Sequence, residues 1–315
     1  MDMKDDFMLS VVVPVYNEED MIAPFLERME GVLGKIKCSY EIIFALDPCK
    51  DNTYGTIKEQ MKTHPNVKLL TFSRRFGQPA STLGGIFNCK GDACVVIDVD
   101  LQDPPELIEQ MVEKYREGYD VVYAQREARE GETWLKKLIA ATGYRVINKI
   151  SSVDIPVDTG DYRLISRKVI EELKKLSEHH GFLKGMVPFV GFKQAPIRYH
   201  RDARLEGEGK YNRFFGSTRI GFNGIFCYSS KPLEYMTYLG VILSGASFAG
   251  LILYIVISLI AGSGLAALGN WLNAFWTGLI ILCMGILGEY VSRIYEEVTG
   301  RPLFIVDEFD ENDKK

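Results

Sequence analysis

The stretch VIDVDLQDPPE, Val96 to Glu106, runs an apolar segment straight into acids and then into two prolines. Asp98 and Asp100 are two residues apart, and on an extended backbone residues i and i+2 point the same way. Two carboxylates on one face repel unless a cation sits near them. Hard oxygens at a strand end suit Mg²⁺ or Mn²⁺, with phosphate and water supplying most of the remaining ligands. Gln102, two residues further on, extends the same face. The alternative is a solvated acidic turn, and the fully apolar strand in front of the acids weighs against it.

The elements that must hold these acids follow from periodicity. Strands are predicted at Leu9–Val15, Tyr40–Leu46, Val67–Phe72, Ala93–Asp98 and Asp120–Ala124. Helices are predicted at Glu18–Gly34, Asp51–Met61 with Asp51 as cap, Ala80–Asn88, Pro104–Tyr115 and Arg167–Leu176. Strands alternating with helices imply a mainly parallel sheet covered on both faces, the doubly wound α/β class. Ligands bind such sheets beyond the carboxyl ends of the strands. The acids Glu18, Asp47, Asp98 and Asp100 fall there. Strand one is followed by V-P-V-Y-N-E, so neither the G-x-G-x-x-G fingerprint nor a P-loop is present.

Basic residues complete a site of mixed charge. Arg126 and Arg129 follow the fifth strand, and Arg204 and Lys210 bracket the G-E-G loop at Gly207–Gly209. Arginine forks and lysine point charges both hold phosphate oxygens, and a solvated charged loop is the alternative for any one of them. Asp158 and Asp161, around Thr159-Gly160-Asp161-Tyr162-Arg163, are candidates for the acid near a reacting carbon. Turn chemistry and helix capping compete with that role.

VVVPVYNEE, YEII, DPCKDNT, SRRFGQPAS, VIDVDLQDPPE, TGDYRLISR and the late G-E-G-K-Y together resemble glycosyltransferase family 2. More narrowly, they resemble its polyprenyl-phosphate glycosyltransferases, the dolichyl-phosphate-mannose synthase and bactoprenol glucosyltransferase relatives. The resemblance implies a GT-A (Rossmann-like) α/β domain, a UDP-sugar donor, a divalent metal and a polyprenyl (undecaprenyl) phosphate acceptor. It implies that Pro14, Tyr16 and Glu18 line the nucleobase pocket and that Asp47 binds the base. Asp98 and Asp100 would hold ribose and metal, with Gln102 beside them. Relatives often have D-D-G-S where this chain has Leu46-Asp47-Pro48-Cys49, and often asparagine where it has Arg75. The motifs look closest to the glucosyltransferases, so glucose is the expected sugar, with mannose, N-acetylglucosamine and amino-arabinose as alternatives. A processive polysaccharide synthase would usually carry Q-x-x-R-W, which is missing here. A nucleotide-binding membrane sensor without turnover is the rival from another class.

No charged residue occurs from Tyr235 to Gly288. A spanning helix needs about 20 apolar residues. Two spans are expected, Leu233–Ile260 and Leu268–Gly288, split by the small-residue hinge Ala261–Gly264. A buried hairpin in a soluble core would be the other reading, yet a central charge costs only ~3 kcal/mol in a membrane helix and none is present. Lys and Arg flank the outer ends and not the hinge, so both termini and the large N-terminal region are expected in the cytoplasm. Tyr211–Tyr228 carries Phe214, Phe215, Phe222 and Phe226 with Arg213 and Arg219. It suits interfacial amphipathic helices, or a helix packed on the catalytic domain. The expected division is 1–210 catalytic, 211–230 interfacial, 231–293 transmembrane and 294–315 cytoplasmic tail. MDMKDDFML has no signal-peptide pattern. A net charge of -5 argues against nucleic acid as partner. Six scattered cysteines without C-x-x-C argue against zinc and for reduced thiols. Gly278, Gly285 and Gly288 would permit close helix contact in a homo-oligomer, or ordinary packing. PLFIV, Pro302–Val306, could add a strand to its own sheet or to a neighbour's.

Overall fold

The computed structural model describes residues 7–127, 156, 159–176, 183–200, 231–261 and 266–312. The strands are β1 (Met8–Val15), β2 (Ser39–Leu46), β3 (Val67–Phe72), β4 (Ala93–Val96), β5 (Val121–Arg126), β6 (Thr159–Ser166), β7 (Gln194–Tyr199) and β8 (Val306–Asp310). They form one sheet in the order β7-β5-β6-β4-β1-β2-β3-β8. Parallel pairings join β1 to β2 and β4, β2 to β3, and β5 to β7. Antiparallel pairings join β6 to β4 and β5, and β8 to β3. The sheet is mixed but mainly parallel, as expected: six strands run one way, and β6 and β8 oppose them. The two opposed strands are β6, which the periodicity did not mark, and β8, which was expected a few residues earlier.

Helices cover both faces. α1 (Ile22–Leu33), α2 (Thr53–Met61) and α4 (Leu107–Arg116) pack with Val11, Val13, Ile42, Phe44 and Leu69 on one side. α3 (Gln78–Asn88), α5 (Arg167–Leu173) and α6 (Leu183–Phe189) pack with Val12, Ile43, Leu70, Cys94 and Val96 on the other. Alternate residues of one strand thus enter different cores, so the central strands read as unbroken apolar runs. α3 approaches β1 closely: a Cβ on Gly85 would lie 2.4 Å from Val12 Cγ1.

Two long helices follow, α7 (Lys231–Ala261) and α8 (Ala266–Thr299). Among the described residues only Trp276–Thr299 is long and apolar enough to cross a membrane; Tyr238–Gly250 is a shorter apolar helix. The expected second span stopped at Gly288, but the helix continues through charged residues. Glu289 and Arg293, four apart, pair at 2.8 Å and support that last part.

The chain then returns to the sheet. Ser73 N–H donates to the Ile305 carbonyl at 3.0 Å, and β8 pairs with β3. Phe304 packs on Phe72 and Phe87, ring centroids 5.8 and 6.2 Å apart. The expected strand at Pro302–Val306 therefore forms in the chain's own sheet, displaced to Val306–Asp310. Leu303 and Phe304 pack as apolar plugs instead. Because β8 is antiparallel to β3, the chain enters from α8 at the carboxyl end of β3.

Candidate functional site

The sheet brings six segments together at one end of its strands. β1, β2, β3, β4 and β5 end there, leading into Tyr16, Asp47, Ser73, Asp98 and Arg126, and antiparallel β6 begins there at Thr159.

The acids of the central motif do not lie on a strand. β4 stops at Val96, and Ile97 N–H makes a last bond to Val12 O at 3.1 Å. The chain then turns, and Leu101 takes a left-handed φ of 54°. That conformation costs a leucine roughly 1–2 kcal/mol. Burial of its side chain in the core under α4 opposes the cost. The expectation of an extended face shared by Asp98, Asp100 and Gln102 is thus corrected. They sit instead on a turn, where Gln102 N–H donates to Asp100 Oδ1 at 3.2 Å. Gln78, in the first turn of α3, donates its side-chain amide to Asp98 Oδ1 at 2.8 Å. Both acids are half-buried. Carboxylate oxygens without thiol or imidazole fit Mg²⁺ or Mn²⁺. Among the described residues no cluster of three or more His, Cys, Asp or Glu side chains forms, so phosphate and water would have to complete a cation's shell.

On the β1–β2 side, Asp47 is buried. Its two oxygens accept the backbone N–H groups of Phe76 at 3.1 Å and Gly77 at 2.8 Å. It therefore pins the loop after β3 whatever else it binds. From that loop the Arg75 guanidinium lies 3.8 Å from the Tyr16 ring centre, and its Nη1 donates to the Tyr16 hydroxyl at 3.2 Å. Pro14 is buried within β1. Asn17 has a φ of 52°; its N–H donates to Cys49 Sγ at 3.1 Å, and its Oδ1 accepts Lys50 N–H at 2.8 Å. Glu18 N–H donates to Thr53 Oγ1 at 3.0 Å. Cys49 thus laces the two loops together. Burial pushes its thiol pKa up, which keeps it protonated.

On the β5 side, Arg126 is fixed by a ring of hydrogen bonds. Its Nε donates to the Tyr199 hydroxyl at 3.1 Å and its Nη2 to Asp103 Oδ2 at 3.4 Å. Tyr199 in turn donates to Asp103 Oδ1. Burial, with the charge of Asp103, pushes the Tyr199 hydroxyl up to about 12, so it remains a donor. Burial pulls the Arg126 pKa down, but Asp103 and Tyr199 outweigh it and leave it above its ordinary value. Gly160 makes room for the guanidinium: a Cβ there would lie 2.9 Å from Arg126 Nη2. Arg126 also lines an open cleft of 330 Å³ with Gln125, Glu127 and Arg198. Beside it, buried Arg163 donates to the carbonyls of Gly160 at 2.9 Å and Leu183 at 3.4 Å. This ties α6 to the start of β6, and Lys184 next in α6 feels the charges of Asp161, Arg163, Arg126 and Asp98. Burial is the largest influence on it and lowers its pKa.

This end of the sheet therefore assembles Tyr16, Glu18, Asp47, Asp98, Asp100, Gln102, Arg126 and Asp161. Asp158, Arg129, Arg204, Lys210 and the 211–230 segment lie outside the described residues. Gln78, Asp103, Tyr199 and Lys184 received no role from the sequence. Asp103 and Gln78 stand inside motifs already picked out, whereas Tyr199 is found only through the β5–β7 register that pairs it with Arg126.

Residues 10–174 match the family model described as Glycosyl transferase family 2. A protein of Bacillus subtilis (strain 168) described as "Uncharacterized glycosyltransferase YkcC" is 42% identical over 299 residues, 94% of this chain and 92% of that one. The "SfII prophage-derived bactoprenol glucosyl transferase" of Shigella flexneri is 36% identical over 300 residues, covering 95% and 97% respectively. Among solved structures, the chain is similar to a mannosyltransferase from Pyrobaculum calidifontis in complex with GDP-Man and Mn²⁺. Identity there is 14% and the TM-score 0.48, over 95% of this chain and 88% of that one.

Proposed function

The chain belongs to glycosyltransferase family 2, and from that premise we propose that it moves a single glucose from UDP-glucose to a polyprenyl phosphate, undecaprenyl phosphate, at the cytoplasmic face of a membrane. Its similarity to a bactoprenol glucosyl transferase over nearly the full length of both chains supports this acceptor. The observation that carries the reading is the turn after β4. Within Asp98–Asp103 it offers two cation-type acids and, on the adjoining side, the carboxylate that grips Arg126.

In this reading Pro14, Tyr16, Glu18 and Asp47 hold the nucleotide, and Asp98 and Asp100, with Gln102, hold Mg²⁺ or Mn²⁺. A divalent cation there would offset diphosphate charge and stabilise the departing UDP. Arg126 donates to phosphate oxygens, and Arg129, Arg204 and Lys210 are assigned the same task. The acceptor needs little help from a base, because a phosphate monoester loses its second proton near pH ~6. One of its oxygens attacks the anomeric carbon from the face opposite UDP. The carbon–oxygen bond to UDP breaks with its electron pair, and the configuration inverts. Asp161 or Asp158 orients the acceptor or stabilises positive charge on the sugar.

The long lipid tail keeps the acceptor in the bilayer, since each buried CH₂ contributes about 0.8 kcal/mol. α7 and α8 form a transmembrane hairpin that brings the enzyme to it, with both termini cytoplasmic. Exposed apolar side chains support the hairpin, for example Val241 at 68%, Ile281 at 65% and Met284 at 66%. Leaving such residues in water forgoes about 1.5–3 kcal/mol each. The test is Asp100→Asn in membranes given labelled UDP-glucose. Label in the lipid phase should disappear with the variant, and undiminished transfer would exclude Asp100 from the reaction.

A further inference from the structure

We propose that Asp103 and Tyr199 are positioning residues that hold the Arg126 guanidinium in place beside the cleft it lines, where it meets a phosphate of the reaction. The inference rests on the transfer reading above and adds a device to it.

A guanidinium on a surface strand end would sweep many rotamers, and freezing it on binding costs entropy. Here three side chains from different parts of the chain close a ring. Arg126 donates to Tyr199 and to Asp103, and Tyr199 donates to Asp103. Asp103 and Tyr199 are buried and Arg126 is half-buried. A carboxylate withdrawn from water costs several kcal/mol unless paired, so ring geometry and burial reinforce one another. The rest of the architecture protects the arrangement. Tyr162 donates to the Pro104 carbonyl at 2.9 Å next to Asp103, and its ring meets Tyr199 edge-on at 6.5 Å. Gly160 leaves the volume that the guanidinium fills. The ring uses Nε and Nη2, and the same side chain lines the 330 Å³ cleft. Asp103 follows Asp98 and Asp100 in one turn, so the cation side and the phosphate side are set by a single piece of backbone.

The test uses the purified full-length protein with Mn²⁺. Affinity is measured separately for UDP and for a short-chain polyprenyl phosphate, because either source could supply the phosphate. Tyr199→Phe and Asp103→Asn should each weaken one of the two by about tenfold, the value of one hydrogen bond at a charged group. Arg126→Ala should weaken the same one, and Tyr199→Phe added to Arg126→Ala should weaken it no further. Unchanged affinities with only a lower melting temperature would overturn the inference, as would additive losses. A parent protein that binds neither probe would overturn the transfer reading itself. The positioning claim then stands or falls on a structure of the Tyr199→Phe protein. Arg126 released from Asp103 supports it, and Arg126 unmoved overturns it.

Discussion

Glu41 lies away from the reacting end and shows what a single buried charge does for this sheet. It sits on β2 and accepts from the Ser10 hydroxyl and from Lys90 N–H at 2.7 Å, and Lys68 Nζ lies 2.8 Å from its Oε2. Burial pushes its pKa up, but the hydrogen bonds from Lys68, Ser10 and Lys90 outweigh it and hold the carboxyl below its ordinary value. A carboxyl that is more acidic folded than unfolded adds stability that is fully present above the unfolded value, near pH ~4.3. That stability is lost as pH falls through the folded value. Glu41→Gln should therefore cost ~3 kcal/mol at neutral pH, where it leaves Lys68 without its buried partner. In urea titrations from pH 7 downward, the gap between parent and variant should hold to the unfolded value and close as pH falls through the lower, folded one. A gap independent of pH would show that packing, not charge, is at stake. At the reacting end, the acids of the central motif were legible because they broke an apolar run. Asp103, the third of them, was not, because its partners Arg126 and Tyr199 are distant in sequence and meet only once β5 and β7 pair.

At the scale of elements, β1 to β5 were legible within a few residues, since central parallel strands buried on both faces read as unbroken apolar runs. β6 was missed for the opposite reason. Its sequence TGDYRLIS carries Asp161 and Arg163, and Arg163 is buried by bonding to two backbone carbonyls, which a hydropathy pattern does not register. β7 carries a proline and an exposed arginine, at the sheet edge where proline is tolerated. β8 was anticipated as a strand a few residues too early. The apolar PLFIV supplies the plug Phe304, and the strand proper is the acidic VDEFD. Its Asp310 pairs with Lys58 at 2.6 Å, and Asn312 bonds to the Met61 and His64 carbonyls. Exposed ion pairs give at most ~1 kcal/mol, so the aromatic plug should dominate. Phe304→Ala is expected to cost about 3 kcal/mol of stability. Calorimetry on the purified protein checks this, and a loss no larger than that of Lys58→Ala would assign the docking to charge instead.

For the whole molecule, the notable connection runs from the long helices to the reacting end. Thr299 ends α8 and Val306 opens β8, a tether of at most about 25 Å. It arrives at the carboxyl end of β3, beside the loop that Asp47 pins and from which Arg75 covers Tyr16. In the proposed arrangement the donor site is held close to the lipid surface, as a lipid-borne acceptor requires. The apolar character of 235–288 was plain in the sequence, whereas the helical continuation to Thr299 was not, because Glu289 and Arg293 mask it until they are seen to pair. The most direct test of the account is mass spectrometry of lipids after membranes bearing the protein are given UDP-glucose, Mn²⁺ and undecaprenyl phosphate. A single hexose on the lipid phosphate is predicted. A polymer of hexoses, or undecaprenyl phosphate recovered unmodified beside intact UDP-glucose, would contradict it.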